Sequence, residues 1–279
     1  LIRRQRQMCI RDSVYTLEIG LLDISKEEVI DELIPIVESY LNESLEVVSI
    51  KDIMHHLGYT SVVLKHQPNF SLQYGIQQYA LEPLYCGDSF STFHQDNDHY
   101  LALSDGMGQG KKAASESKLT LEVLSKLILN GISLKDTVDS VNALLKIKNH
   151  NDMFTTLDLC NINLANAKMK LIKYGANPSY HIRNKIIEKI TTNSLPVGIV
   201  SKLKMSSYEM TLKSDDIIIM SSDGTGDNFE KIINDNLDLI DQLHPQEVAT
   251  LLMDKVLEDN NLDDISIIVV KVVNAKNDN

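Results

Sequence analysis

Positive charge is what this 279-residue sequence has least of. Twenty-seven Lys and Arg stand against 39 Asp and Glu, a net charge of −12. That argues against a generic nucleic-acid binder or a basic membrane-surface protein, since both turn cations toward phosphates. Arginine is scarcer still: of five residues, four (Arg3, Arg4, Arg6, Arg11) fall in the first eleven positions and only Arg183 lies beyond. The three cysteines, Cys9, Cys86 and Cys160, have spacings that fit neither a disulfide framework nor a zinc site, which points to a reducing, cytoplasmic setting. No apolar run approaches the ~20 residues of a membrane helix. What is plentiful is apolar residues, at 43%, enough for one large or two modest cores and too many for disorder.

The N-terminus differs in texture from the rest. The run RRQRQMCIRDS resembles translated adapter sequence, and the chain opens on Leu1, as a fragment or misplaced start does. Residues 1–13 are expected to be a non-native or disordered tail and carry no weight in the fold argument.

Residues 14–66 read as strand, helix, strand, strand. Ser25 with Glu28 forms a capping-box pattern, and Val29, Ile30, Leu33, Val37 and Leu41 recur at helical spacing, with Pro35 expected to kink the helix or shift its start. His55 and His56, being adjacent, would point about 100° apart on a helix and make a poor metal pair. A boundary is expected at Gln67, Pro68 and Asn69. Beyond it the pattern predicts strands over 70–81 and 100–104, helices over 111–129 and 134–147 separated by Asn130-Gly131, then strands over 155–162, 169–174, 179–182, 186–190, 205–212 and 217–221. A last helix over 245–257 precedes a final strand, 265–273. Strands in series with segregated helices indicate α+β with antiparallel sheets.

Four acidic loops end or open apolar strands: Gly87-Asp88-Ser89, Ser104-Asp105-Gly106-Met107-Gly108, Ser222-Asp223-Gly224 and Asp263-Asp264-Ile265-Ser266. Any one of them reads as a plain turn. Gathered together without matching arginines they would repel one another, so clustering calls for a cation. Oxygen ligands without His or Cys suit magnesium or manganese, and glycine beside an aspartate lets a carbonyl approach the ion.

The order GDSF, SDGMGQG, helical hairpin, TTLDL, NSLPVGI, SSDG and DDIS before an apolar strand resembles the PPM-type metal-dependent serine/threonine phosphatases. Within them it is most similar to the phosphatase domain of the stage II sporulation protein E family. The resemblance spans about residues 70–273. It implies a central antiparallel β-sandwich flanked by helices, with residues 68–274 as the phosphatase domain and 14–66 as a partial regulatory α/β segment. It also implies two Mn²⁺ or Mg²⁺ ions held by Asp88, Asp105, the carbonyl of Gly106, Asp223 and one of Asp263 and Asp264, with Asp263 favoured. Asp105, Asp88 and Asp223 would then be the catalytic set. Ions ~3.5–4 Å apart activate water and stabilise the leaving oxygen, so no protein nucleophile is needed. The implied substrate is a phosphoprotein of the anti-anti-sigma type, in a sporulation role controlling sigma factors, with no nucleic-acid partner. A homodimer is left open, and the intact protein is expected to reach the membrane through a preceding region.

Where many relatives hold substrate phosphate with an arginine near the domain start, only Arg183 is available, in a mid-domain strand. Lys111 and Lys112 read as solvated, Met107 as loop packing and Cys86 as a buried thiol. Asp223-Gly224-Thr225 is reminiscent of the haloacid-dehalogenase motif, but Ser221 stands where its nucleophile belongs. The phosphate-loop and dinucleotide patterns are not met around Gly106–Lys111. The rival function is a PPM-fold binding module without turnover, against which stands the acidic residue at every ligand position.

Overall fold

The computed structural model describes residues 16–22, 25–41, 44–54, 59–108, 110–148, 154–258 and 263–275. Cys9, His55, His56 and residues 1–13 lie outside them. The chain divides into two compact units between Asn69 and Phe70.

The first unit is a three-stranded antiparallel sheet of β1 (Thr16–Leu22), β2 (Leu45–Met54) and β3 (Tyr59–His66), in the order β1-β3-β2. The connecting helix runs through α1 (Lys26–Glu28), a π-helical turn (Val29–Leu33) and α2 (Ile34–Leu41). Its capping box forms: Glu28 N donates to Ser25 Oγ at 3.2 Å and Ser25 N to Glu28 Oε2 at 2.8 Å. Pro35 lacks the N–H that an α-helix would require of it. The wider turn comes just before it, with Ile34 N donating to Val29 O, so the helix accommodates the proline by a π-bulge. Ile19, Val29, Ile34, Leu45, Val62 and Leu64 form the core.

The second unit has two five-stranded antiparallel sheets. One is ordered β10-β9-β12-β13-β4, from β4 (Phe70–Tyr79), β9 (Ser179–Arg183), β10 (Ile186–Ile190), β12 (Ile217–Ser221) and β13 (Ile265–Asn274). The other is β11-β8-β7-β6-β5, from β5 (Asp88–Gln95), β6 (Asp98–Asp105), β7 (Leu157–Asn163), β8 (Lys168–Tyr174) and β11 (Ser207–Thr211). Helices α3 (Gly110–Leu129) and α4 (Leu134–Lys148) cover the second sheet, while α5 (Phe229–Asp235), α6 (Leu237–Gln242) and α7 (Pro245–Leu257) cover the first.

This layering explains why the central strands are apolar on both sides. On β12, Ile217 and Ile219 face the α5–α7 layer while Ile218 and Met220 face the other sheet. On β13, Ile265, Ile267 and Val269 alternate in the same way with Ile268, Val270 and Val272, as the two-residue strand period requires. Three elements escape the sequence reading. Strand β5, DSFSTFHQ, is an edge strand whose polar residues give no apolar signal. Residues 229–242 form two short helices that bury only Phe229, Ile233 and Ile240 among many charges. The edge of β4 is covered by Gln246, whose amide accepts from Ile76 N and donates to Ile76 O, both at 3.1 Å, closing a site for stray strand pairing.

Candidate active site

The layer between the sheets turns polar at one end. Along β6 the row facing the opposite sheet contains Leu101 and Leu103, and the two-residue period carries it on to Asp105. Asp88 is the register partner of Asp105 on β5, so the two carboxylates share that face. Asp223 opens a 3₁₀ turn directly after β12, and Asp263 and Asp264 directly precede β13. Because β12 and β13 are antiparallel neighbours, these ends meet: Ser222 N donates to Ser266 O at 3.0 Å and Ser266 N to Ser222 Oγ at 2.9 Å. The four acidic loops, separated by up to 176 positions in sequence, thus come together from both sheets.

Backbone contacts fix the loops. Gly106 N donates to Gly87 O at 3.1 Å. Asp105 O accepts from Thr156 N at 2.9 Å and Thr155 Oγ1 at 2.6 Å, and Asp105 N donates to Thr156 Oγ1 at 2.9 Å. Glycine is required here by close approach: a Cβ on Gly106 would stand 2.1 Å from Ala113 O, and one on Gly224 2.0 Å from Asp264 O.

The acidic residues divide by what they touch. Asp264 is buried, and its carboxylate accepts from Leu81 N at 2.8 Å and Gly87 N at 2.5 Å, fastening both ends of the loop before β5. Its oxygens are spent on the backbone, whereas Asp263 beside it is exposed and, among the described residues, bonds only the adjacent Asp264 N, at 2.8 Å. Asp88 is 4% exposed, and neither of its carboxylate oxygens has a hydrogen-bond partner among the described residues. Burial pushes its carboxyl well above the usual range, with the charges of Asp223 and Asp264 adding to the effect and the nearby hydroxyls of Ser222 and Ser266 opposing it. Burial and then the charges of Asp88, Asp223 and Asp263 do the same to Asp105; among the described residues no Lys, Arg or His forms an ion pair with these carboxylates. Among the described residues no three His, Cys, Asp or Glu side chains form a ready-made metal cage. The residues nevertheless fit a hard divalent cation, because the donors are all oxygens, two of them buried and unpartnered, in a cluster short of positive charge.

Other residues singled out in the sequence fall elsewhere. Arg183 lies at the far end of β9 in a two-pronged pair with Asp216, Nε to Oδ1 at 2.8 Å and Nη2 to Oδ2 at 2.5 Å, and is not available to hold phosphate. Lys111 and Lys112 are exposed. Met107 is 49% exposed, which corrects the expectation that it packs the loop. Cys86 is half-buried, which corrects the expectation of a buried thiol; its thiol is pushed up to about 12 by burial and the charge of Asp88, leaving it a poor nucleophile. The sequence reading gave no role to the polar frame: Thr155 and Thr156, noted only as part of the TTLDL motif, and Asn177. Asn177 Nδ2 donates to Ser222 O at 3.0 Å, tying the β8–β9 corner to the turn that carries Asp223.

A family model described as stage II sporulation protein E (SpoIIE) matches residues 95–273 of this chain. The chain belongs to the SpoIIE family. The SpoIIE of Bacillus subtilis strain 168 is 29% identical over 280 residues, covering 93% of this chain but 34% of that protein, so the chain spans about a third of its relative's length. A solved structure of the PP2C phosphatase domain with a fragment of the regulatory domain of SpoIIE from Bacillus subtilis superposes with a TM-score of 0.76. It is 27% identical and covers 98% of this chain and 83% of that one. The catalytic domain of the serine threonine protein phosphatase PstP, solved with two manganese ions, shares the fold at a TM-score of 0.60 and 20% identity, covering 74% of this chain and all of that one. This SpoIIE-family chain therefore has the α+β PPM/PP2C phosphatase fold that its motif order implies, and its relatives are PPM-type serine/threonine phosphatases. Among the described residues no helix is long and apolar enough to cross a membrane.

Proposed function

We propose that residues 70–275 catalyse metal-dependent hydrolysis of phosphoserine or phosphothreonine in a protein. The observation that carries this reading is the meeting of Asp88, Asp105, Asp223 and Asp263 at one end of the sandwich, with no ion pair to any of them among the described residues. Two Mn²⁺ or Mg²⁺ ions, as in the PstP neighbour, would supply an activated water and charge neutralisation for the phosphate. Asp88 and Asp105, on adjacent strands, would hold the ions together with the Gly106 carbonyl, and Asp223 and Asp263 would contribute from the other sheet. Asp264 holds the loop before β5 in place. With Arg183 committed to Asp216, the substrate phosphate depends on the cations and on backbone N–H groups.

Family membership supports the narrower reading: a phosphorylated anti-anti-sigma-type protein as substrate, and membrane attachment of the intact protein through a preceding region. The rival, a PPM-fold binding module without turnover, makes the opposite prediction in one assay. Phosphate release from a phosphoserine protein is measured with Mn²⁺, with excess chelator, and in Asp105→Asn. Release that requires Mn²⁺ and the Asp105 carboxylate supports the phosphatase, whereas release that survives both treatments refutes the metal mechanism. No release from the unaltered chain with Mn²⁺ favours the binding module.

A further inference from the structure

The row that ends in Asp105 has two charged neighbours. On β7 the positions facing the other sheet include Ile162 and Cys160 and continue to Asp158; on β8 they include Met169 and Leu171 and continue to Lys173. Asp158 pairs in register with Leu103 on one side and Lys173 on the other. Both side chains are buried, Lys173 at 0% and Asp158 at 1% exposure. Lys173 Nζ donates to Asp158 Oδ2 and, at 2.7 Å, to Ser179 Oγ on the opposite sheet, and Ser179 Oγ donates to the same Asp158 Oδ2 at 3.2 Å. Asp158 Oδ1 has no hydrogen-bond partner among the described residues.

Asp158 also lines a cavity of about 20 Å³ together with Asp105, Thr156, Asn177, Ser222 and Asp223. A polar cavity of that size holds one water, and a buried water needs two to four polar partners. With Oδ2 occupied by Lys173 and Ser179, Oδ1 is the oxygen left to face the cavity. We propose that Asp158 is a positioning residue for Asp105, acting through a single water bound in this cavity. The water donates one proton to Asp158 Oδ1 and the other to the Asp105 carboxylate, joining two groups that otherwise only repel. Lys173 lies behind Asp158, so its charge is spent on that carboxylate and does not oppose a divalent cation at Asp105. This inference rests on the phosphatase reading of the Asp105 site. It adds an outer partner of the kind whose loss lowers metal affinity about 10–100-fold.

The test separates the acceptor oxygen from the ion pair. Removing Asp158 alone strands a buried cation, so both partners are replaced together, which interiors often tolerate. The double variant Asp158→Leu with Lys173→Met removes pair and acceptor, whereas Asp158→Asn with Lys173→Met removes the pair but keeps an acceptor oxygen. Titration calorimetry with Mn²⁺ is expected to show affinity reduced about 10-fold or more in the first and within about threefold of the unaltered chain in the second. Arg183→Met with Asp216→Leu, at the far end of the domain, serves as the control for general loosening and should leave Mn²⁺ affinity unchanged. Unchanged affinity in the Leu variant, equal loss in both Asp158 variants, or equal loss in the control overturns the proposal. If the Asp158 variants do not fold, a high-resolution crystal structure of the unaltered, metal-free chain decides. A water within hydrogen-bond distance of Asp158 Oδ1 and Asp105 supports the proposal, and a dry cavity overturns it. Failure of the unaltered chain to bind Mn²⁺ would instead refute the metal-site reading, and the crystallographic water would still decide this one.

Discussion

Replacing Gly106 by alanine tests how tightly the Asp105 loop is set against α3. The added Cβ would stand 2.1 Å from Ala113 O, 2.7 Å from Ala113 C and 2.9 Å from Ala113 Cα. Real Cβ contacts do not fall below 3.0 Å, so loop and helix must part by at least 0.9 Å. The helix is held by Leu121, Leu124 and Ile128 in the core against the second sheet, so most of the movement falls on the loop carrying Asp105. Overpacking of this kind costs about 1–3 kcal/mol, or about 2–12 °C in Tm for a domain of this size. A displacement of ~1 Å at a reacting centre costs about 100-fold in rate. Gly108 supplies the contrast: its φ is +92° but a Cβ there meets nothing within 4 Å, so Gly108→Ala should cost about 1–2 kcal/mol of strain and change turnover only a few-fold. Melting curves and Mn²⁺-dependent phosphate release on both variants check this. Turnover in Gly106→Ala within threefold of the unaltered chain, or a larger loss in Gly108→Ala, would refute the argument.

Three further outcomes follow from the charges and the sheet edge. Asp88 and Asp105 have raised carboxyl values, so above the ordinary value of 3.8 the folded, metal-free chain holds protons that the unfolded chain has released, and stability declines as pH rises toward the folded values. The urea midpoint in chelator should be lower at pH 8 than at pH 5, with the difference reduced in Asp105→Asn; a higher midpoint at pH 8 would contradict this. At the opposite end, burial alone would raise Asp216, but Arg183, the Lys213 N–H and His181 together hold it below 3.8, so its contribution is present above that value and is lost as pH falls through the folded one. Arg183→Met should cost about 3 kcal/mol near pH 7 by stranding a buried carboxylate, with a smaller loss below pH 3; equal losses at both pH values would count against the pairing. Gln246→Ala uncovers the N–H and C=O of Ile76 on edge strand β4, and sedimentation should show more self-association than in the unaltered chain. Identical sedimentation over the same concentrations would show that the edge is protected by other means.

How much of this was legible in the sequence depended on where each element lies. Strands β12 and β13, as IIIMS and ISIIVVKVVN, announce themselves because both faces are covered and nearly every side chain is buried. Strand β5 does not, because an edge strand with one pairing partner tolerates Ser, Thr and His on its open side. Helices α5 and α6 were hidden for a similar reason: three buried residues among acids leave no clear periodic stripe. Asp88, Asp105 and Asp223 were readable as strand-end acids beside small residues. The distinct tasks of Asp263 and Asp264 were not, since adjacent carboxylates look alike until the loop before β5 supplies N–H donors to one of them.

By itself the sequence determined the chemistry available: a chain short of cations, rich in strand-end aspartates, with the motif order of a metal-dependent phosphatase. Period and composition encode such properties locally. Only the tertiary structure decided which acids share a face, that Arg183 is committed to Asp216, and that Asp158 and Lys173 lie buried beside Asp105. Those facts depend on strand register and on the stacking of two sheets, which bring together residues that no local pattern connects.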